Sequence, residues 1–248
     1  MYNIVVRYFI LLCLLWSTAI NASPVSHTGG ARVEKGRLST EARVGISFDD
    51  ASARQDNRVF TRQHIDYGFT DYYALRIGWN QQKADNDNLQ HSDVRIENRF
   101  QFYKQKKHGF DFGARLSYVH NSGQRAGKAR FRLLGQLDVI PRWTLRGNIF
   151  FKHDVGENAQ DGLDMDIRTQ LMHRLAYQND YILASRAGIE LFNDIGRLDR
   201  GYSRQLHSAG FVVNLGHPHD LYTVFAYHRG ISNAHPDDTF KFALRRVF

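Results

Sequence analysis

The sequence has a single cysteine, Cys13, and this residue lies within the one long apolar run of the chain. Outside that run the chain can form no disulfide, and it offers no thiolate as a metal ligand or nucleophile. Proline is also scarce, with four residues, and the mean hydropathy is −0.48. Membrane-spanning helices each need about 20 apolar residues. The composition therefore excludes a membrane protein built from helices.

The apolar run itself has the features of a secretory signal peptide, residues 1–22. Arg7 supplies a positive charge, an apolar segment runs from Tyr8 to Trp16, and small residues precede a predicted cleavage site after Ala22. The run is too short to span a membrane comfortably. We therefore expect an exported protein, with residues 23–39 as a loose periplasmic tail and residues 40–248 as one domain.

From Thr40 onward, apolar and polar residues alternate in one segment after another, which is typical of β-strands. We count twelve such segments, and a ten-stranded alternative remains if the segment near residues 205–215 belongs to a loop. In a transmembrane barrel, strands place apolar residues toward lipid and polar residues toward the lumen. The predicted fold is all-β: a transmembrane, antiparallel, up-and-down β-barrel.

The connections between the predicted strands alternate between short and long. Thr70-Asp71 and residues 177–180 are short, whereas residues 80–92 and 152–162 are longer and rich in Asp, Asn and Gly. Outer-membrane barrels have short periplasmic turns and longer outer loops. Aromatic residues cluster beside the short turns, where an interfacial girdle is expected. The pattern predicts both chain ends on the periplasmic side.

The last segment has an apolar face and a basic face. Phe240, Phe242, Leu244 and Phe248 share one face, and Lys241, Ala243 and Arg245 lie between them. The pattern resembles the C-terminal strand of bacterial outer-membrane β-barrel proteins, which ends in an aromatic residue. The resemblance implies that the barrel assembly machinery recognises these four apolar residues. It also implies a Gram-negative outer membrane, with lipid and lipopolysaccharide around the barrel.

On the same parity, basic residues outnumber acidic ones on the predicted lumen face. A basic excess in a narrow pore favours anionic solutes. Alternatively, the charges pair with one another as structural ladders, because twelve strands lie between a filled barrel and a water-filled channel. The predicted pore-lining residues are Arg43, Arg76, Arg95, Arg99, Arg115, Arg130, Arg132, Arg146, Arg168, Arg174, Arg186, Lys241 and Arg245, with Lys128 and Lys152 on the same face.

Twelve short strands, an export signal and a basic lumen resemble the small porins for acidic oligosaccharides, such as the oligogalacturonate and sialic-acid channels. The stretch from Phe112 to Leu116 and on through Arg130 to Leu133 is similar in layout to their central hairpin. The resemblance implies a passive, weakly anion-preferring channel for small anionic solutes. A structural barrel with a plugged lumen is the alternative.

An enzymatic alternative comes from His120 and Ser122, at the outer end of a predicted strand. This His-x-Ser pair resembles the active site of outer-membrane phospholipase A and of lipid A deacylases, which implies Ser122 as nucleophile and His120 as its base. The phospholipase family has Asn after the serine and a second Asn on the next strand. Here Gly123 follows and Lys128 to Arg130 come next, so no group orients the imidazole. A polar loop without catalysis is the favoured interpretation.

The sequence predicts no cofactor, no metal site and no nucleic-acid partner. The formal net charge is +8, but the basic residues are spread along the chain rather than gathered in one block. The run from His217 to Asp220 offers potential ligands on adjacent residues of a tight turn, which cannot easily converge on one ion. No phosphate-binding glycine loop is present.

Overall fold

The protein is described from a computed structural model that covers residues 27–49, 57–83, 88–123, 125–198, 206–231 and 236–248. The predicted signal peptide, residues 1–22, lies outside the described residues, as do residues 23–26 of the predicted tail.

The described residues form twelve β-strands and one short helix. The first six strands are β1 (Leu38–Phe48), β2 (Arg58–Gly68), β3 (Tyr73–Lys83), β4 (Gln90–Tyr103), β5 (Asp111–Asn121) and β6 (Gly127–Ile140). The next six are β7 (Trp143–Val155), β8 (Asp164–Arg174), β9 (Ala184–Arg197), β10 (Leu206–His217), β11 (Leu221–Gly230) and β12 (Asp238–Val247). The helix, α1 (Gln105–His108), lies between β4 and β5. No helix in the described ranges is long and apolar enough to cross a membrane.

The strands form a closed antiparallel barrel in which each strand pairs with its neighbours in sequence. The seam joins β1 to β12, from the pair Ser39 and Val247 to the pair Phe48 and Asp238. Beyond the last strand, the amide of Phe248 donates a hydrogen bond to the carbonyl of Leu38, at 2.9 Å. The predicted twelve-stranded barrel is confirmed. The ten-stranded alternative is wrong, because β10 pairs along its length with both β9 and β11.

The barrel wall buries polar side chains and exposes apolar ones, the reverse of a soluble domain. In β4, Glu97 is 2% exposed whereas the adjacent Ile96 is 48% exposed. In β12, Lys241 and Arg245 lie on the inner face, and Phe240, Phe242 and Leu244 are exposed on the outer face. The alternation of the sequence therefore sets the direction of side chains as expected.

The strict alternation of short and long connections is not found. Residues 175–183 connect β8 to β9, and only residues 122–126 connect β5 to β6. The predicted short connection ends at residue 180, but Tyr181 and Leu183 also belong to the first of these connections. The Asn179 side chain accepts hydrogen bonds from the amides of Tyr181 and Ile182, at 2.9 and 2.7 Å. Such local bonds give the backbone an alternative to strand pairing.

Residues 27–37, here called the N-terminal segment, lie inside the barrel rather than as a loose tail. Thr28, Ala31 and Val33 are buried. The segment reaches the wall at Gly68, whose carbonyl accepts a hydrogen bond from the Gly36 amide at 2.7 Å. A Cβ atom at Gly68 would lie 1.9 Å from the carbonyl oxygen of Glu34. A glycine at this wall position is therefore what permits the segment to approach so closely.

Candidate functional site: the barrel lumen

Residues 28–30 of the N-terminal segment are held by side chains of three strands. The Thr28 amide donates to Glu190 at 3.2 Å. Gly29 exchanges two hydrogen bonds with the Asn148 side chain, each at 2.9 Å. Its neighbour Gly30 accepts a hydrogen bond from the Arg115 guanidinium at 3.0 Å. These contacts satisfy backbone groups that would otherwise be buried without partners.

Arg32 and Val33 of the segment are held near the barrel end that carries Leu38 and Val247, here called the terminal end. Arg99 donates to the carbonyl of Arg32 at 3.1 Å, and the Val33 amide donates to Gln101 at 2.8 Å. The Arg32 side chain donates to Asp111 at 2.6 Å. Burial opposes the charge of Arg32, but the hydrogen bond and charge of Asp111 outweigh it and raise the pKa of Arg32. The segment is therefore fixed at both ends of its course.

Two networks of ion pairs cross the inner wall. In the first, Asp66 pairs with Arg76 and Arg99 at 2.8 and 2.5 Å, and Glu97 pairs with Arg115 and Arg76 at 3.1 and 3.6 Å. The second network joins Asp166 to Lys152 and Arg168, at 2.5 and 3.2 Å. Arg43 pairs with Glu41 next to the first network. For these residues, the structural-ladder interpretation describes the arrangement well.

Other predicted pore-lining arginines have no carboxylate partner. Arg95, Arg130 and Arg132 form no ion pair within the described part of the chain, and the Nε atoms of all three are buried without a hydrogen bond. The Arg132 guanidinium instead lies 3.9 Å from the ring centre of Phe150. An arginine that forms no ion pair keeps hydrogen-bond donors for another ligand.

The remaining predicted lumen cations differ in their surroundings. Arg146 donates to Gln136 and Gln170, each at 3.0 Å. Arg146 and Arg186 both line a cavity of the lumen that is described below. Lys241 lies over the ring of Phe192 at 4.2 Å. Arg245 lies 3.4 Å from the Ser39 hydroxyl. Arg174 is exposed at the end of β8, and Lys128 pairs with Asp154 at 3.1 Å.

Two residues of the lumen, Arg62 and His228, were not predicted from the sequence. Arg62 faces the interior and donates to Asn80 at 2.7 Å. It has the same parity as His64 and Asp66, and β2 extends from Arg58, so that Arg62 lies within the strand. His228 is buried and lies 3.2 Å from Glu190, a contact between β11 and β9 that no local pattern reveals.

A cavity of about 400 Å³ separates the N-terminal segment from one side of the barrel wall. Val212, Val224, Ala226 and Ala243 form an apolar arc on β10 to β12. The rest of the lining is polar and basic, and includes Arg146, Arg186, Arg245, Gln170 and the segment itself. Apolar and charged surfaces therefore lie side by side in the cavity.

The proposed catalytic pair is not organised for catalysis. The Ser122 hydroxyl lies 2.8 Å from the carbonyl of His91 and 3.0 Å from that of Ser92, to which it donates. Within the described residues, no hydrogen bond joins His120 to Ser122. A serine nucleophile requires a base within hydrogen-bond reach of its hydroxyl. The geometry offers no support for the hydrolase alternative.

The turn from His217 to Asp220 connects β10 to β11, as its sequence suggested. The His217 ring contacts the carbonyl of Tyr181 and the hydroxyl of Thr223, at 2.9 and 2.8 Å. Among the described residues, no group of three His, Cys, Asp or Glu side chains could hold a metal ion.

The closed barrel, its polar interior and its apolar exterior define the fold class of twelve-stranded outer-membrane barrels. No protein-family model and no curated protein matches the sequence.

Solved structures do match the fold. The KdgM porin has a TM-score of 0.56 at 10% identity, over 85% of this chain and 99% of that one. The COG4313 outer-membrane channel of Pseudomonas putida F1 has a TM-score of 0.58 at 11% identity, over 90% and 100%. The NanC porin has a TM-score of 0.52 at 10% identity, over 84% and 98%. At this identity, the likeness establishes the fold and leaves the function to the residues of the lumen.

Proposed function

We propose that the protein is an outer-membrane channel for small anionic solutes, with a lumen narrowed by the N-terminal segment. The observation that carries the proposal is the group formed by Arg95, Arg130 and Arg132, which share the inward parity of β4 and β6 and form no ion pair within the described residues. In a low-dielectric wall, such charges lower the free energy of an anion in the lumen and raise that of a cation.

The ion-paired residues have a different role in this proposal. Arg76, Arg99 and Arg115 share two carboxylates, those of Asp66 and Glu97, which offset most of their charge, and they shape and stiffen the wall. Their net contribution to the potential is smaller than that of three unpaired arginines, so selectivity depends mainly on Arg95, Arg130 and Arg132. The KdgM porin has also been solved with disordered oligogalacturonate, an anionic sugar chain, which is consistent with anion transport on this fold.

The test is planar-bilayer recording across a salt gradient. The wild type should show a reversal potential with the sign of an anion preference. The preference should fade toward 1 M salt, where the Debye length is about 3 Å. Replacing Arg95, Arg130 and Arg132 together with Gln should move the reversal potential toward cations.

A matched control removes three positive charges from outside the lumen. Lys107, Arg229 and Arg246 are exposed, and their joint replacement with Gln should leave the reversal potential unchanged. A wild type that prefers cations would contradict the proposal. Absence of any conductance would favour the alternative of a structural barrel whose lumen the N-terminal segment plugs.

A further inference from the structure

The cavity beside the N-terminal segment has two chemically different surfaces. On β10, β11 and β12 its inward-facing lining includes four apolar residues, Val212, Val224, Ala226 and Ala243, with Lys241 paired to Ala226 and Asn214 paired to Val224. Val224 and Ala226 are half-buried, whereas Val212 and Ala243 are 2% and 7% exposed. A lumen that passes only hydrated ions gains nothing from such an apolar surface, because water contacts it at a cost.

The adjoining arginines supply charge and hydrogen-bond donors. Arg186 forms no ion pair within the described residues, and Arg146 bonds only to the neutral side chains of Gln136 and Gln170 there. Arg245 also lines the cavity. Guanidinium groups are well suited to bind carboxylate or phosphate, with two parallel hydrogen bonds.

The cavity also has a polar atom without a partner. The side-chain oxygen of Asn214 is buried and accepts no hydrogen bond from any residue that the structure describes, and Asn214 lines the cavity beside Val212. A volume of about 400 Å³ is in the range of pockets that hold small molecules. At the terminal end, the lining continues to Gly216, Tyr222 and Arg245. The cavity thus has the size, the anchors and the apolar surface of a binding site.

We infer that this cavity binds amphipathic anions: a carboxylate held by Arg186 and its neighbours, with an apolar body against the arc of Val212, Val224, Ala226 and Ala243. This deepens the proposed function and rests on it, since it names the class of anion that the channel takes. A sugar acid of the same charge would gain the arginine contacts but would leave the apolar arc in contact with water.

Binding to the purified full-length protein in detergent tests this inference by calorimetry, with detergent alone as the blank. Three probes separate the contributions: 3-phenylpropionate, glucuronate and the neutral 3-phenylpropanol. We expect 3-phenylpropionate to bind at least about tenfold more tightly than glucuronate, because a few apolar contacts in a pocket discriminate by roughly that factor. The neutral alcohol should bind more weakly than 3-phenylpropionate.

Substitutions then test the apolar residues and the arginine of the cavity separately. Replacing Val212 and Val224 together with Asn should weaken 3-phenylpropionate binding by about tenfold and leave glucuronate unchanged. Arg186→Gln should weaken both acids. Leu134→Asn is the control, because Leu134 is buried on the inner face but does not line the cavity. If the Asn pair fails to fold, Thr at both positions keeps the shape of Val and tests the same point.

The outcomes separate this inference from the channel itself. Equal affinity for the two acids, or no effect of the Val substitutions, would overturn the inference even if bilayer recordings show anion-selective conductance. Preferential binding of 3-phenylpropionate in a protein that conducts nothing would retain the binding site and refute the channel.

Discussion

Arg115 donates one hydrogen bond to the backbone carbonyl of Gly30, at 3.0 Å, from the guanidinium that also bonds Glu97 at 3.1 Å. One wall arginine thus connects a buried carboxylate of β4 to the N-terminal segment. Arg99 repeats the arrangement with Asp66 and the carbonyl of Arg32. The ion pairs that stiffen the wall therefore also hold the segment that narrows the lumen.

A covalent link between the segment and the wall should lower conductance. A Cβ atom at Gly30 would point at the Gln136 side chain, 2.8 Å from its oxygen. Cysteines at both positions can be bridged by a short bifunctional methanethiosulfonate reagent, because Cys13 is the only natural cysteine. Bilayer current should fall on bridging and return with reductant, and it should fall less in either single-cysteine variant, which can take up the reagent at one end but cannot be bridged. Unchanged current in the bridged protein would mean that ion conduction does not require movement of the segment.

Gly68→Ala should detach the segment from β2. The new Cβ atom would lie 1.9 Å from the Glu34 carbonyl oxygen, which the backbone cannot accommodate without a shift. We expect faster trypsin cleavage after Lys35 and Arg37, and a higher mean conductance. Gly147→Ala is the control, because a Cβ there meets no atom within 4 Å. Equal cleavage rates for the two variants would contradict the described position of the segment.

Glu97→Gln should destabilise the barrel. Glu97 is buried and pairs with Arg115 and Arg76, so its loss leaves the buried Arg115 guanidinium without a carboxylate partner among the described residues, whereas Arg76 keeps Asp66. Breaking a buried pair in this way costs on the order of 3–5 kcal/mol. The midpoint of urea unfolding in micelles should fall accordingly, whereas Asp138→Asn, at a half-exposed carboxylate, should change it little. An unshifted midpoint for Glu97→Gln would show that water screens this network.

Deletion of Phe248 should lower the amount of folded protein in the outer membrane. The deletion removes the hydrogen bond to Leu38 at the seam and the terminal aromatic residue that resembles an assembly signal. Comparing boiled and unboiled samples on gels measures the folded fraction, because intact barrels migrate differently. Arg246→Gln, which leaves Phe240, Phe242, Leu244 and Phe248 intact, should assemble normally. If the deletion variant reached the wild-type amount of folded protein, Phe248 would have no role in assembly.

Ser122→Ala should leave the lipid composition of expressing cells unchanged. The hydroxyl is already bonded to the carbonyls of His91 and Ser92, and His120 makes no hydrogen bond to it in the described structure. Mass spectrometry of outer-membrane lipids from cells with wild type and variant provides the measurement. Loss of a deacylated lipid in the variant alone would restore the hydrolase hypothesis.

Much of the barrel could be predicted because alternation along a strand is a local signal. The parity of Phe240, Lys241 and Phe242 is visible without knowing any neighbour, and it agrees with the structure. Connection lengths were less predictable, because the Asn179 side chain ends strand pairing by local bonds that the alternation does not reveal.

The lumen was only partly predictable from the sequence. Parity places Arg95 and Arg99 on the same face of β4. In the described part of the chain, however, only Arg99 has a carboxylate partner, Asp66, on another strand. Whether an inward arginine is paired depends on register and on neighbours across the barrel. The course of the N-terminal segment was not predicted, because its backbone is held by side chains far away in sequence, such as Asn148 and Glu190.

The hydrogen bond between Phe248 and Leu38 has a consequence for the order of folding. Since β12 is the partner of β1, the first strand keeps an unpaired edge until the last strand has been placed. A chain arrested anywhere before Asp238 would expose two open edges, and open edges favour pairing with other chains. Holding the incomplete sheet apart from other chains is therefore a requirement that the topology itself imposes on the cell.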